Sequence, residues 1–228
     1  MMAGDDNIEI ETGPAPRTSV IWLHGLGADA NDFVPIVEEL ELPAEPIRFV
    51  FPNAPMQPVT INGGYVMRAW YDIVSADLAR REDAAGVRQA QHTIEALIAR
   101  EILRGSPASR VIVAGFSQGG AIALQTGLRY GERLAGIMAL STYLPLADTL
   151  ERERSAANAT VPIFMAHGRH DPVVAPARAF ASRDRLTTLG YAVEWHEYAM
   201  PHSVCPEEIA AIGDWIARIL VVSRQGLS

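Results

Sequence analysis

One serine lies in a sequence context that is typical of an exposed nucleophile. Residues 115–119 read Gly-Phe-Ser-Gln-Gly, directly after an apolar run that ends at Ala114 and directly before a helical pattern that begins at Gln118. Glycines on both sides of Ser117 allow a sharp, strained turn and the close approach of neighbouring backbone. This context predicts that Ser117 is exposed at the head of a helix as a nucleophile. A glycine-rich tight turn without chemistry is the alternative.

A serine hydroxyl needs a general base, and an acid and a histidine follow Ser117 in the order that this type of turn requires. Asp171 follows the apolar run 162–166, and His202 follows the run 193–198. The carboxyl ends of parallel strands meet at one edge of a sheet, so these loops should lie near Ser117. We therefore expect His202 to act as the general base and Asp171 to orient its imidazole.

Two backbone amides are expected to bind the negative charge that develops on a substrate oxygen. The N–H of Gln118 lies at a predicted helix N-terminus, where the helix dipole is positive. A second donor is expected from the segment 24–27, His-Gly-Leu-Gly, which follows the first long apolar run. We assign this donor to Leu26, because the flanking glycines let the chain bend close to the oxyanion. A plain tight turn is the alternative for this segment.

Two other groups of residues suggest different chemistry. His167, His170 and Asp171 are spaced closely enough to be considered as zinc ligands, but the chain has no His-Glu-x-x-His helix. We therefore expect no metal. Cys205 stands at a predicted helix start, where a thiolate is favoured, but Ser117 already has a complete set of partners.

The alternation of apolar runs and helical patterns indicates an α/β fold, with a mostly parallel sheet covered by helices on both faces. We expect one domain over residues 1–228. The predicted strands are Ile8–Ile10, Ser19–Leu23, Ile47–Phe51, Arg110–Ala114, Gly136–Leu140, Pro162–Ala166 and Val193–Tyr198. The predicted helices are Asp32–Leu40, Ala84–Leu103, Gln118–Tyr130, Pro176–Leu189 and Pro206–Val222.

The stretch Pro52–Asp83 is the longest without a regular pattern, and it contains several prolines and glycines. Unstructured connections of this length in compact domains tend to be lids or binding loops. The stretch concentrates aromatic and apolar residues, and it follows a strand that ends at the catalytic edge of the sheet. We therefore expect Met67, Trp70 and Tyr71 to line the substrate pocket. For Tyr71, packing against the core is an equal alternative.

Composition excludes several classes of protein. The 228 residues include 19 basic residues, all of them arginine, and 27 acidic ones, and the net charge of −8 disfavours a nucleic-acid partner. The single cysteine cannot form an internal disulfide, and the acidic N-terminus lacks the pattern of a secretory signal. No apolar run approaches the ~20 residues that span a bilayer. We expect a cytoplasmic protein without a transmembrane segment.

The chain resembles the α/β-hydrolase superfamily, and within it the phospholipase/carboxylesterase family, over nearly its full length. The motifs that carry the resemblance are VIWLHGLGAD at 20–29, FPNAP at 51–55, RAWYDI at 68–73, GFSQGG at 115–120, HG with DPV at 167–173, and HS at 202–203. The resemblance implies a triad of Ser117, Asp171 and His202 and an oxyanion hole formed by the amides of Leu26 and Gln118. It also implies that the chain has no cofactor and no large cap domain, and a homodimer is a state that members adopt.

These observations predict a serine carboxylesterase that hydrolyses esters with short to medium acyl groups through an acyl-enzyme at Ser117. The same triad serves an acyl-protein thioesterase or a lysophospholipase. The sequence does not separate an acylated protein or a lysolipid from a small-molecule ester as the substrate. A hydrolase-fold ligand-binding protein with little turnover is a third interpretation, which an intact triad disfavours.

Overall fold

The computed structural model describes residues 7–75 and 82–225, with side chains described up to Val221. Its strands are β1 (Ile8–Glu11), β2 (Thr18–Leu23), β3 (Ile47–Phe51), β4 (Met56–Val59), β5 (Tyr65–Arg68), β6 (Val111–Phe116), β7 (Gly136–Leu140), β8 (Ile163–Gly168) and β9 (Val193–Tyr198). Its helices are α1 (Ile36–Glu39), α2 (Ala84–Leu103), α3 (Gln118–Arg129), α4 (Ala147–Glu153), α5 (Pro176–Thr188) and α6 (Pro206–Gln225).

Seven strands form one sheet in the order β1-β3-β2-β6-β7-β8-β9. β1 pairs with β3 antiparallel, and the other neighbours in this sheet pair in parallel. The strands β4 and β5 form a separate antiparallel hairpin. The mostly parallel sheet and its helices confirm the predicted α/β architecture, and the described residues contain no large cap domain.

The central strands β2, β6, β7 and β8 are buried along nearly their whole length and are mostly apolar, because helices cover both faces of the sheet. In β2, alternate side chains enter opposite cores: Ile21 and Leu23 pack with α2 and α3, whereas Val20 and Trp22 pack with α1 and α6. Helix α3 lies deepest, with every residue from Gln118 to Leu128 buried. The two helical layers hold the parallel strands in place. The loops that follow these strands therefore meet at one edge of the sheet.

One predicted helix needs correction, and one observed helix was not predicted. The predicted helix Asp32–Leu40 is wrong in its first half, because residues 31–35 form turns and only Ile36–Glu39 is helical. Pro35 lacks an amide hydrogen and disfavours helical backbone at Val34, so the helix begins only after it. The structure also contains α4, which the sequence analysis did not predict.

The prediction that Pro52–Asp83 has no regular structure is also wrong, because this stretch contains the β4–β5 hairpin. The turn between the two strands uses Gly63 and Gly64 at φ 66° and 80°. The alternating pattern was hidden because the hairpin is largely exposed and contains Pro58. Residues 76–81 of this stretch lie outside the described part of the chain.

No helix within residues 7–75 and 82–225 is long and apolar enough to cross a membrane. The assignment of residues 1–228 to a single domain stays a prediction.

Candidate active site

Ser117 adopts a strained backbone conformation at the junction of β6 and α3. Its φ of 54° and ψ of −119° are rare for a residue with a side chain and cost about 1–3 kcal/mol. The neighbouring chain holds this turn: the Ser117 amide donates to the carbonyl of Leu140 at 2.8 Å, and the Thr142 hydroxyl donates to the Ser117 carbonyl at 2.6 Å. Hydrogen bonds to residues outside the loop therefore stabilise this strained turn.

The glycines on either side of Ser117 are required by close backbone contacts. A Cβ at Gly115 would lie 2.3 Å from the carbonyl carbon of Gly119, and a Cβ at Gly119 would lie 2.4 Å from the carbonyl oxygen of Leu23. No side chain fits at such distances without displacing backbone. The sequence pattern around Ser117 is thus explained by packing of α3 against β6 and the end of β2.

The loops after β8 and β9 bring Asp171 and His202 together. The Nδ1–H of His202 donates to Oδ2 of Asp171 at 2.7 Å, and the Asp171 side chain is completely buried. The other carboxylate oxygen, Oδ1, accepts the amides of Val173 and Val174 at 2.8 and 2.9 Å. The His202 ring also lies 4.7 Å, between centroids, from the ring of Phe116, the residue that precedes Ser117.

The segment 24–27 packs directly against the serine turn. A Cβ at Gly25 would lie 3.5 Å from the Cβ of Ser117. His24, which begins the segment, is buried and accepts the amide of Ala54 at Nε2, 3.0 Å away, so its proton resides on Nδ1, which donates to the carbonyl of Gly25 at 2.7 Å. Burial lowers the pKa of His24. The imidazole is therefore a neutral, fixed support for the segment that carries Leu26.

The amides of Leu26 and Gln118, which we expect to form the oxyanion hole, belong to residues that line one cavity with Ser117. Neither amide donates to a protein acceptor within the described residues. The side chain of Gln118 is occupied elsewhere: its Oε1 accepts the Trp70 amide at 2.7 Å and its Nε2 donates to the Tyr71 carbonyl at 2.8 Å. Gln118 thereby ties the segment after the hairpin to the head of α3.

The cavity next to Ser117 has a volume of about 270 Å³ and a mainly apolar lining. Tyr71 and Tyr143, which join hydroxyl to hydroxyl at 2.6 Å, are buried and form its inner wall. Ile61 and Val173 are exposed and mark its mouth. The lining residues are Leu26, Ile61, Asn62, Tyr71, Ile73, Ser75, Ser117, Gln118, Tyr143, Val173 and Val174.

Of the three predicted pocket residues, Tyr71 lies in this lining, and Met67 and Trp70 are not among the described lining residues. Trp70 is buried, and its Nε1–H donates to the carbonyl of His24 at 2.9 Å. The sulfur of Met67 lies 3.5 Å from where a Cβ on Gly27 would be. Both side chains thus support the 24–27 segment, and their contact with a substrate stays a prediction.

The alternative chemistries gain no support from the described residues. His170 is exposed, and no three His, Cys, Asp or Glu side chains in the described part of the chain are grouped as metal ligands. Burial raises the pKa of the Cys205 thiol, which disfavours a thiolate nucleophile. A larger depression of about 490 Å³ lies at the opposite edge of the sheet, between Pro46 and Pro107, and none of the predicted site residues lines it.

Sequence analysis missed Tyr143, and it considered His167 only as a possible zinc ligand. Tyr143 follows β7 and His167 lies near the end of β8, the same edge from which Ser117 and Asp171 were predicted. Their position at the carboxyl ends of strands was the available signal. Nothing in the sequence indicated which of the side chains at this edge would face the cavity or the Asp171 carboxylate.

A strained serine between a parallel strand and a buried helix, beside a hydrogen-bonded histidine and aspartate, is the arrangement of the α/β hydrolases. Comparison with known proteins identifies the family within this class. The profile of the Phospholipase/Carboxylesterase family matches residues 5–220, and the chain belongs to this family. It is a serine hydrolase.

Curated relatives and solved structures agree with this assignment. Acyl-protein thioesterase 1 of Neurospora crassa is 41% identical over 89% of the chain and 86% of the relative, and acyl-protein thioesterase 1 of Mycosarcoma maydis is 38% identical over 93% and 95%. The crystal structure of Arabidopsis thaliana SOBER1 matches with a TM-score of 0.85 at 32% identity, over 90% of this chain and 99% of that one. Zea mays acyl-protein thioesterase 2 matches with a TM-score of 0.84 at 27% identity, over 94% and 98%.

Proposed function

We propose that this serine hydrolase is an acyl-protein thioesterase, which cleaves the thioester between an acyl group and a cysteine of a protein. The observation that carries this proposal is the 41% identity, over 89% of the chain, to a relative named acyl-protein thioesterase 1. The sequence analysis placed small-molecule carboxylic esters first and acylated proteins second. The relatives favour the second of these substrate classes.

The first half of the proposed reaction forms an acyl-enzyme. The Ser117 hydroxyl attacks the thioester carbonyl carbon while the Nε2 of His202 takes the hydroxyl proton. Asp171 accepts the Nδ1–H of His202 at 2.7 Å and stabilises the imidazolium that forms. The amides of Leu26 and Gln118 donate to the oxyanion of the tetrahedral intermediate. The C–S bond then breaks, and the cysteine leaves as a thiol with the proton from His202.

The second half restores the enzyme. His202 takes a proton from a water molecule, whose oxygen attacks the acyl carbonyl on Ser117. The new tetrahedral intermediate collapses, the C–O bond to Ser117 breaks, and His202 returns the proton to the serine oxygen. A carboxylic acid is released and all three side chains regain their starting protonation.

The cavity supports an acyl chain as the buried part of the substrate. Its volume of about 270 Å³ is just below the usual range for pockets that hold drug-sized ligands, which fits an acyl chain better than a whole lipid. Each methylene that it removes from water contributes about 0.8 kcal/mol. The cysteine and its peptide would remain outside the mouth at Ile61 and Val173, which are 44% and 66% exposed.

The test is a panel of S-acyl-cysteine peptides and aryl esters with matched acyl lengths. We expect kcat/KM for the thioesters to equal or exceed that for the esters at each length. Ser117→Ala should lower kcat for both substrates by at least ~10³-fold while the melting temperature stays within a few degrees, because a small hydroxyl adds little packing. Ser109→Ala, in the turn that precedes β6 and therefore at the opposite end of this strand from Ser117, is the matched control.

Two outcomes would contradict the proposal in different ways. Ester turnover more than about 100-fold above thioester turnover at every acyl length, a difference of about 2.7 kcal/mol, would make the chain a carboxylesterase. Retention of activity by Ser117→Ala, or stoichiometric fluorophosphonate labelling at another residue, would remove Ser117 as the nucleophile.

A further inference from the structure

A second histidine, which the mechanism above does not use, lies against the buried carboxylate of Asp171. The Nε2 of His167 lies 3.4 Å from Oδ2 of Asp171, the same oxygen that accepts the Nδ1–H of His202. Its imidazole is 2% exposed. The carboxylate is therefore in contact with two histidines, one of which is 15% exposed and one of which is enclosed.

The hydrogen bonds of His167 define its protonation. Its Nε2 lies 2.9 Å from the carbonyl oxygen of Val174, and a carbonyl only accepts, so the proton resides on Nε2. Its Nδ1 is buried and has no hydrogen-bond partner within the described residues. Burial lowers the pKa of His167, which favours this neutral form, although nearby Asp171 and Glu197 oppose the shift. His167 is thus a fixed, neutral N–H donor.

The carboxylate of Asp171 has room for one further positive dipole. An ionised carboxylate offers about four acceptor positions. The amides of Val173 and Val174 take two of them at Oδ1, and His202 takes one at Oδ2. The Nε2 of His167, whose hydrogen is donated to the Val174 carbonyl, lies 3.4 Å from Oδ2, so its N–H dipole acts on the charge of this oxygen without a direct hydrogen bond.

We infer that His167 is a positioning residue for Asp171: its Nε2–H holds the carbonyl of Val174, whose amide binds Oδ1, and its dipole stabilises the charge of Oδ2 alongside His202. The inference rests on the proposed function, because His167 acts only through the Asp171–His202 pair. A side chain without this N–H leaves the charge of Oδ2 to His202 alone, which favours the imidazolium and delays its loss of a proton as pH rises.

The matched variants are His167→Gln and His167→Asn. A glutamine can place its amide nitrogen near the position of Nε2, whereas the shorter asparagine places it near Nδ1 and cannot reach Oδ2. Both are polar and smaller than histidine, so their effects on folding should be similar, and melting temperatures would check this. His196→Gln on the neighbouring strand β9 removes an imidazole that does not contact Asp171 and serves as the control.

We expect His167→Asn to lose about 10- to 100-fold in kcat/KM for a thioester, as when a buried charge loses one stabilising dipole, and His167→Gln to restore most of it. The pH at half-maximal kcat/KM should rise in the asparagine variant and stay at the wild-type value in the glutamine variant. Equal losses in both variants, or an unmoved or lowered pH midpoint in His167→Asn, would overturn the inference.

Failure of the proposed function looks different. If activity survives Ser117→Ala, the assignment of the catalytic triad is wrong, regardless of the result at position 167. If activity depends on Ser117 but is the same with asparagine and glutamine at position 167, only the positioning role of His167 is wrong.

Discussion

Two completely buried carboxylates lie at opposite edges of the sheet, and the protein holds them in different ways. Glu101 lies at the edge where the parallel strands begin. Its Oε2 accepts the Ser19 hydroxyl at 2.8 Å and the Arg48 guanidinium at 3.0 Å, and its Oε1 accepts Arg104 at 2.9 Å. Permanent cations therefore neutralise this acid on both oxygens.

Asp171 lies at the edge where the parallel strands end, and its described hydrogen bonds come from backbone amides and from His202. Amides fix the carboxylate without cancelling its charge, so the charge remains available to an imidazole that gains and loses a proton. An arginine in the same place would neutralise the carboxylate permanently. The difference indicates that one edge is built for stability and the other for chemistry.

The largest effect should come from Asp171→Asn. The asparagine cannot hold His202 in the tautomer that presents a free Nε2 to Ser117, so we expect kcat/KM to fall on the order of 10⁴-fold, by analogy with serine proteases. The melting temperature should change far less than activity. Asp184→Asn, on the exposed face of α5, is the control. Retention of more than a tenth of the activity would mean that another carboxylate orients His202.

At the opposite edge, Glu101→Ala should lower stability and leave the chemistry intact. Loss of this buried acid leaves the buried Arg48 guanidinium without one of its carboxylate partners. The expected cost is about 3–5 kcal/mol in the free energy of unfolding. Denaturant titration measures this loss, and kcat per folded molecule should stay within about twofold of wild type. A destabilisation below about 1 kcal/mol would show that the remaining partner of Arg48, Glu11, suffices.

A third buried acid, Glu208 in the first turn of α6, sharpens the comparison. Neither of its oxygens makes a hydrogen bond of normal geometry within the described residues, and burial raises its pKa to about 8 although the Cys205 amide opposes the shift. The folded state keeps the proton that the unfolded state loses above its ordinary pKa of 4.5. The stability that this proton contributes is therefore complete below pH 4.5 and is lost as pH rises to about 8.

Glu208→Gln should remove this pH dependence. The difference in melting temperature between the variant and the wild type should grow in favour of the variant from pH 5 to pH 8 and then level off. Thermal unfolding at several pH values measures it. A difference that is the same at pH 5 and pH 8 would show that Glu208 is ionised in the folded protein or has a partner in solution.

The smallest expected effect separates pocket lining from support within the catalytic edge. Ile73 lines the cavity, so Ile73→Ala should flatten the rise of kcat/KM with acyl length, by up to about 0.8 kcal/mol for each methylene that loses contact. Trp70 supports the 24–27 segment, so Trp70→Ala should lower kcat/KM by the same factor at every acyl length. A flattened profile for Trp70→Ala would instead make Trp70 part of the acyl wall, as the sequence predicted.

The sequence alone determined the features that depend on neighbouring residues. The parallel sheet followed from continuous apolar runs, and the strands Ile47–Phe51, Gly136–Leu140 and Val193–Tyr198 agree at both ends with prediction. The serine turn followed from its flanking glycines, since the strain at Ser117 and the close contacts of Gly115 and Gly119 leave few other residues that fit. Short sequence motifs are sufficient to predict local backbone constraints of this kind.

The tertiary structure decided which side chains meet. Trp70 contacts the carbonyl of His24, 46 positions away, and the Tyr71 hydroxyl contacts that of Tyr143, 72 positions away. No local pattern distinguishes a tryptophan that lines a cavity from one that supports a loop. The spacing of His167 and Asp171 suggested a metal site, and it did not indicate that His167 would lie beside the Asp171–His202 pair. These contacts depend on how the loops after different strands pack at one edge of the sheet, and a single sequence does not encode that packing locally.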